Sequence, residues 1–229
     1  TYMDITLSDI DVRGSSMVGG VAGQFIADGD VNIRFEDIAV SGNIWGGNSF
    51  IGGIFGMISG EEQDFLINNG SFNGYISTEA NVSMGLGGLA GFILGSEVVI
   101  VKSYANVVIN EIESINSPKY FGGLIGFAGG GSISIEDCDI DGAMTISSSG
   151  FLSGVGGVIG YIDSEGASII GTSSSAEINL KSNGNIAEAG GIAGTLRSAL
   201  VQLHDNSSSG NIIAELEERA TTVRSIGGG

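Results

Sequence analysis

Three aspartates alternate in Asp137-Cys138-Asp139-Ile140-Asp141, the spacing that places carboxylates on one side of an extended strand. Carboxylates paired with others on neighbouring strands are the machinery of glycoside hydrolysis, one as acid and one as base or nucleophile. A second acidic series recurs along the chain: Asp28 and Asp30, then Glu61, Glu62 and Asp64, then Glu97, then Asp163 and Glu165. Hard oxygen ligands gathered on one edge would suit Ca²⁺. Gly129-Gly130-Gly131 interrupts that series, and no Gly-Gly-x-Gly-x-Asp nonapeptide accompanies it. His204, the only histidine, has Asp205 beside it in a polar stretch. The eight basic residues are scattered, so no cluster of acid plus base marks a catalytic face. These residues lead us to expect a solvated acidic face on a protein that is not an enzyme. No residue is assigned a catalytic, cofactor-binding or metal-ligating role, and calcium at the acidic edge is the one cofactor the residue types would suit.

The elements that position these residues repeat. Val18-Gly19-Gly20-Val21-Ala22-Gly23 recurs as Ile51-Gly52-Gly53-Ile54-Phe55-Gly56 and as Leu86-Gly87-Gly88-Leu89-Ala90-Gly91. Further copies begin at Phe121, Val155 and Ala189, and a truncated one ends the chain at Ile226-Gly227-Gly228-Gly229. Their first glycines, at 19, 52, 87, 122, 156, 190 and 227, are 33, 35, 35, 34, 34 and 37 residues apart. Such a period marks stacked repeats. None of the copies is followed by Gly-Lys-Ser/Thr or by a convincing helix, which excludes a phosphate-binding loop.

A second pattern fills the rest of each repeat. Ile135, Cys138, Ile140, Gly142 and Met144 align with Ile100, Ser103, Ala105, Val107 and Ile109. The same frame holds Ile67, Gly70, Phe72, Gly74 and Ile76, then Ile169, Thr172, Ser174, Ala176 and Ile178, then Leu203, Asn206, Ser208, Gly210 and Ile212. A partial first copy is read as Ile5, Ser8, Ile10 and Val12. Small or apolar residues alternate with outward polar ones such as Asp139 and Ser173, the mark of a half-buried strand. The odd step from Ile135 to Cys138 predicts a corner or bulge. The glycine motif predicts a strand apolar on both faces, hence one covered on both sides, with its aliphatic residue (Val21, Ile54, Leu89, Leu124, Val158, Ile192) forming a column. Only Ile212 to Arg219 looks helix-tolerant.

The fold class follows: an all-β, parallel β-helix-like solenoid of six to seven stacked ~34-residue repeats, one repeat domain over 1–229. The lone proline, Pro118, suits long ladders. Twenty-six acidic residues against eight basic ones give a net charge of −18, which argues against nucleic acid or anionic lipid as a partner. No apolar run approaches the ~18 residues of a membrane span. Cys138 alone excludes an intrachain disulfide framework. Asn69, Asn81 and Asn206 head formal glycosylation triplets, and threonine is too scarce for an ice-binding ladder. The absence of an initiating Met and the truncated last motif lead us to expect that the chain is an excised piece of a longer protein.

The repeated Gly-Gly-Leu/Ile/Val-x-Gly core resembles the Glug motif of large bacterial surface and secreted proteins. Gly88-Leu89-Ala90-Gly91 and Gly123-Leu124-Ile125-Gly126 carry the likeness best, with Val or Ile replacing Leu elsewhere. The resemblance implies an extracellular β-solenoid segment of an adhesin-like or filamentous surface protein, with no catalytic residues to carry over. A carbohydrate-active solenoid fragment is the alternative. Unpaired strand edges at both ends predict self-association into a fibre or continuation by further repeats, with a cell-surface or glycan ligand.

Overall fold

A computed structural model describes residues 4–29, 32–47, 49–78, 85–111, 119–148, 152–182, 186–216 and 223–227. Among them there is no helix, and every strand pairing is parallel. The chain visits three sheets in turn, lettered A, B and C, and rises by one strand at each circuit. One circuit runs Tyr104–Glu111 in sheet A, Tyr120–Gly122 in sheet B and Ile125–Glu136 in sheet C. Counting a split strand as one rung, the described residues form seven rungs in each of sheets A and B and six in sheet C. The expected β-solenoid is the observed fold. Residues 212–216, expected to tolerate helix, are the sheet A strand Ile212–Leu216, paired in register with Ile178 to Ser182.

The glycine motif is a corner rather than one continuous strand. Sheet B ends at the first glycine, the second glycine and the aliphatic residue form the bend, and sheet C begins with the residue before the third glycine. A Cβ on the first glycine would press on the limb that follows the bend: at Gly87 it would lie 2.7 Å from Gly126 N, and at Gly122 2.8 Å from Gly160 N. The third glycine faces back, a Cβ on Gly160 lying 2.6 Å from Phe121 N. The second glycine faces sheet A, where a Cβ on Gly88 would stand 2.7 Å from that of Ala105. All are closer than real Cβ contacts. None of these glycines has positive φ, so the residue is required for space and not for backbone conformation. Sheet B is therefore covered on both faces by its own chain, and Leu86, Phe121 and Val155 are fully buried.

Hydrogen bonds run through the bend without interruption. The carbonyl of Leu89 accepts from Ile54 N (3.1 Å) and Phe55 N (2.9 Å) of the coil before it, and Leu89 N donates to Leu124 O (2.8 Å). Leu124 and Val158 N–H groups continue the series to Val158 and Ile192 carbonyls, both at 2.9 Å. The aliphatic column is as expected: Ile54, Leu89, Leu124 and Val158 are fully buried, with Val21 and Ile192 half-buried in the first and last coils.

The predicted corner after Ile135 is equally regular. Asp37, Asn69, Lys102, Asp137, Gly171 and Asp205 stack there, all with φ between 50° and 60°. Each of the first five donates its N–H to the next coil at 3.0–3.1 Å. Asp, Asn and Gly are the residues that tolerate this left-handed region, and Lys102 is the exception. In the first repeat the expected frame is displaced by three residues at Ile5 and by two at Val12: Ile5 pairs with Ile38, level with Cys138, and Val12 pairs with Ile44, in the Met144 column. A bulge between Leu7 and Ile10, with Asp9 at φ 56°, adds one residue and accounts for the change from three to two.

Two expectations follow, both readable in thermal or denaturant melts followed by circular dichroism. Gly88→Val and Gly123→Val should each destabilise the fold by about 3 kcal/mol or more, because backbone from the next coil occupies the side-chain position, while exposed Ser132→Ala should change it by less than ~0.5 kcal/mol. Equal tolerance at the two kinds of site would refute the packing role of the glycines. Lys102→Asn should stabilise by up to about 1 kcal/mol by relieving a left-handed lysine, and a destabilised variant would contradict that assignment.

Candidate functional site

Parallel register decides which of the sequence-predicted residues meet. Asp139 and Asp141 are exposed on the outer face of sheet A, but their rung neighbours are not carboxylates. Asp139 lies between Tyr104 and Ser173, and Asp141 beside Asn106. Ser173 Oγ donates to Asp139 Oδ1 (2.5 Å), and Asp141 Oδ1 accepts from Ser175 Oγ (2.9 Å) and Gly142 N (2.7 Å). Asp137 stands apart at the left-handed corner.

The acidic edge is assembled only in part. Asp64 and Glu97 are register neighbours on sheet C, but the column continues as Ser132 and Gly166. Asp163 lies beside Gly129 and pairs with Arg197 at 3.4 Å. Asp28, Glu61 and Glu62 are exposed, and Asp30 lies outside the described residues. Among the described residues no three His, Cys, Asp or Glu side chains are grouped to hold a metal ion. His204 is exposed and its Nδ1 lies 2.7 Å from Asp205 Oδ2. Of the glycosylation triplets, Asn69 donates to Asp37 Oδ1 (2.7 Å), Asn206 has both ends of its amide engaged, and Asn81 lies outside the described residues. Lys119, one of the basic residues read as scattered, is fully buried and engaged.

Cys138 belongs to a structural column. Gly70 N donates to Ser103 Oγ (3.1 Å), Cys138 N to Thr172 Oγ1 (3.4 Å), and Thr172 N to Asn206 Oδ1 (3.0 Å). The Cys138 sulfur fills the remaining place, in a backbone hydrogen bond with Ser103. Burial pushes its thiol up to about 12, against the opposing effect of that bond and of one with Glu136. A thiol so placed is no nucleophile near neutral pH.

Sequence reasoning missed the aromatic residues of this face. Trp45, Tyr75 and Tyr104 all point outward from sheet A, on three successive rungs, and Tyr75 and Tyr104 are 56% and 39% exposed. The register runs them diagonally across the sheet: Trp45 is paired with Ser77, two residues beyond Tyr75, while Tyr104 is paired with Ser71, four residues before it. A polar column of Asn73, Asn106 and Asp141 lies between the two tyrosine positions. Arg13 lies 5.3 Å from the centre of the Trp45 ring and is tied to Asp11 at 3.3 Å. Those two side chains border a cleft of about 410 Å³ with Gly14, Ser15, Gly46 and Gly47. The other aromatic series serves packing: Phe92, Phe127 and Tyr161 stack on one another half-buried along sheet C, with centroids 5.0 and 5.5 Å apart.

No helix among the described residues is long and apolar enough to cross a membrane. Comparison of the chain with protein-family models, curated proteins and solved structures gave no match.

The Cys138 column carries a pH test. The thiol keeps its proton to about pH 12 in the fold but loses it near its ordinary 9.0 once unfolded. Its contribution to stability is therefore complete below pH 9 and is lost as pH rises toward 12. Cys138→Ser, which preserves the acceptor for Ser103, should remove this part of the alkaline loss in melts compared across that range. Cys138→Val should cost about 1–3 kcal/mol at neutral pH by leaving a buried N–H unpaired. An unchanged alkaline profile in the serine variant would contradict the assignment.

Proposed function

We propose that this chain is a structural and adhesive segment of an extracellular surface protein: an elongated β-solenoid acting as stalk, filament or adhesive surface. The observation that supports it most is uniformity. Every coil repeats the same two corners and is bonded in register to the next, so the repeated sequence is spent on building length. The resemblance of the glycine cores to the Glug motif points to the same setting. Of the carboxylates, which would have to converge for the carbohydrate-active alternative, Asp139 and Asp141 are held by hydroxyls, and only Asp64 and Glu97 stand side by side, in a column that continues as Ser132 and Gly166.

Self-association or continuation by further repeats belongs to this proposal. On the last rung of sheet C, Val201 and Leu203 are 40% and 54% exposed, whereas their column neighbours Ala167 and Ile169 are buried. Among the described residues the backbone edge of that rung is unpaired, and one more parallel strand would both bond it and cover these side chains. Light scattering of the isolated chain should show mass growing with concentration, and Leu203→Lys should suppress that growth. A monodisperse monomer at high concentration would overturn the association. Release of reducing or unsaturated sugars from a polysaccharide panel would replace the structural proposal by the enzymatic one.

A further inference from the structure

We infer that the outer face of sheet A binds a neutral polysaccharide, using Tyr75 and Tyr104 as stacking platforms, the half-buried Trp45 as a border on the same diagonal, and Asn73, Asn106 and Asp141 as the polar lane between the tyrosines. This deepens the proposal of an adhesive surface segment and rests on it.

Leaving aromatic rings in water forgoes their burial, and Tyr75 and Tyr104 are both exposed on this face, while Trp45 is half-buried with Arg13 over its ring. The parallel ladder fixes their spacing. With ~3.3 Å per residue and ~4.8 Å per rung, Trp45 and Tyr75 are about 8 Å apart and Tyr75 and Tyr104 about 14 Å apart at the backbone. Those gaps are the length of one to a few linked sugar rings. Polar side chains separate the rings, so the face is not the contiguous apolar patch that a protein partner would favour. A pyranose offers the matching chemistry, a C–H face to lie on a ring and a rim of hydroxyls to meet amides and carboxylates.

The carboxylates are set for this role. Asp141 is pinned through Oδ1 alone, by Ser175 and Gly142, and Asp139 through Oδ1 by Ser173. Among the described residues neither Oδ2 has a partner, so each can accept from a ligand hydroxyl in a direction already fixed, which reduces the ordering cost of binding. Charge selects among glycans. Asp139, Asp141 and Glu177 are exposed on this face, Arg13 is committed to Asp11 and Trp45, and Lys181, exposed on the same face, is engaged as well. An anionic polysaccharide would be repelled and a neutral one would not.

Affinity electrophoresis through gels containing hydroxyethyl cellulose, galactomannan or polygalacturonate tests the inference on the whole chain. Retardation is expected in at least one neutral gel and not in polygalacturonate. Tyr75→Ala with Tyr104→Ala should weaken it by about tenfold or more, while the corresponding Phe pair largely retains it. Gln202→Ala, exposed at the far end on sheet C, should leave it unchanged. Melting curves of the variants verify folding. Absence of retardation in both neutral gels, retention unaffected by the double alanine variant, or tighter binding to polygalacturonate would each overturn the inference. The structural proposal would survive all three outcomes, since it answers to mass growth and product release instead.

Discussion

The whole solenoid depends on one close approach, of backbone to backbone where sheet B turns into sheet C. The limb after the bend lies so near the strand before it that side chains on the facing positions are excluded on both. That contact makes the short strands of sheet B an interior layer, with side chains of sheet A on one side and the start of sheet C on the other. Glycine is costly in a strand because it surrenders conformational entropy and offers nothing to pack. The cost is offset by a ladder that continues through the bend, so that a sharp turn in a buried place leaves its polar groups satisfied.

The second corner reaches the same result by different chemistry. Left-handed residues turn the chain, and from Lys102 onward the next position supplies a small hydroxyl, thiol or amide to accept the backbone N–H of the coil before it, whereas Asp37 is followed by the buried Ile38. Gly70, Ser103, Cys138, Thr172 and Asn206 differ in type yet occupy one column, because the requirement is an acceptor of modest size. Gly70, which has no side chain, can only donate. The lone cysteine is explained by this column rather than by redox chemistry.

Much of this was legible in the sequence, for a physical reason: in parallel stacks a structural demand recurs at the same place in every coil. The period, the fold class, the aliphatic column and the corner after Ile135 all follow from it. The glycine motif was expected as a strand with two apolar faces; the covering of both faces was right, but the bend was hidden because an alternating strand and a tight corner look alike in a run of small residues. In the first repeat the expected frame misses part of the register because a bulge at Asp9 adds one residue that no period announces. The aromatic face was invisible for the opposite reason. Trp45, Tyr75 and Tyr104 occupy different positions in their repeats, so aligning the repeats scatters them, and only the register brings them onto one diagonal. The carboxylates were visible, but what stands beside each one depends on the adjacent coil.

Native-state hydrogen exchange at the glycine corners tests the central claim most directly. If the backbone contact there holds the coils together, the amides of Leu89, Leu124 and Val158 open only with the whole fold. They should then exchange as slowly as those of the buried strand residues Ile93 and Ile109, with the same dependence on denaturant. Exchange at the rate of exposed turns, while the flanking strands stay protected, would show that the corners are passive connections and would contradict the account.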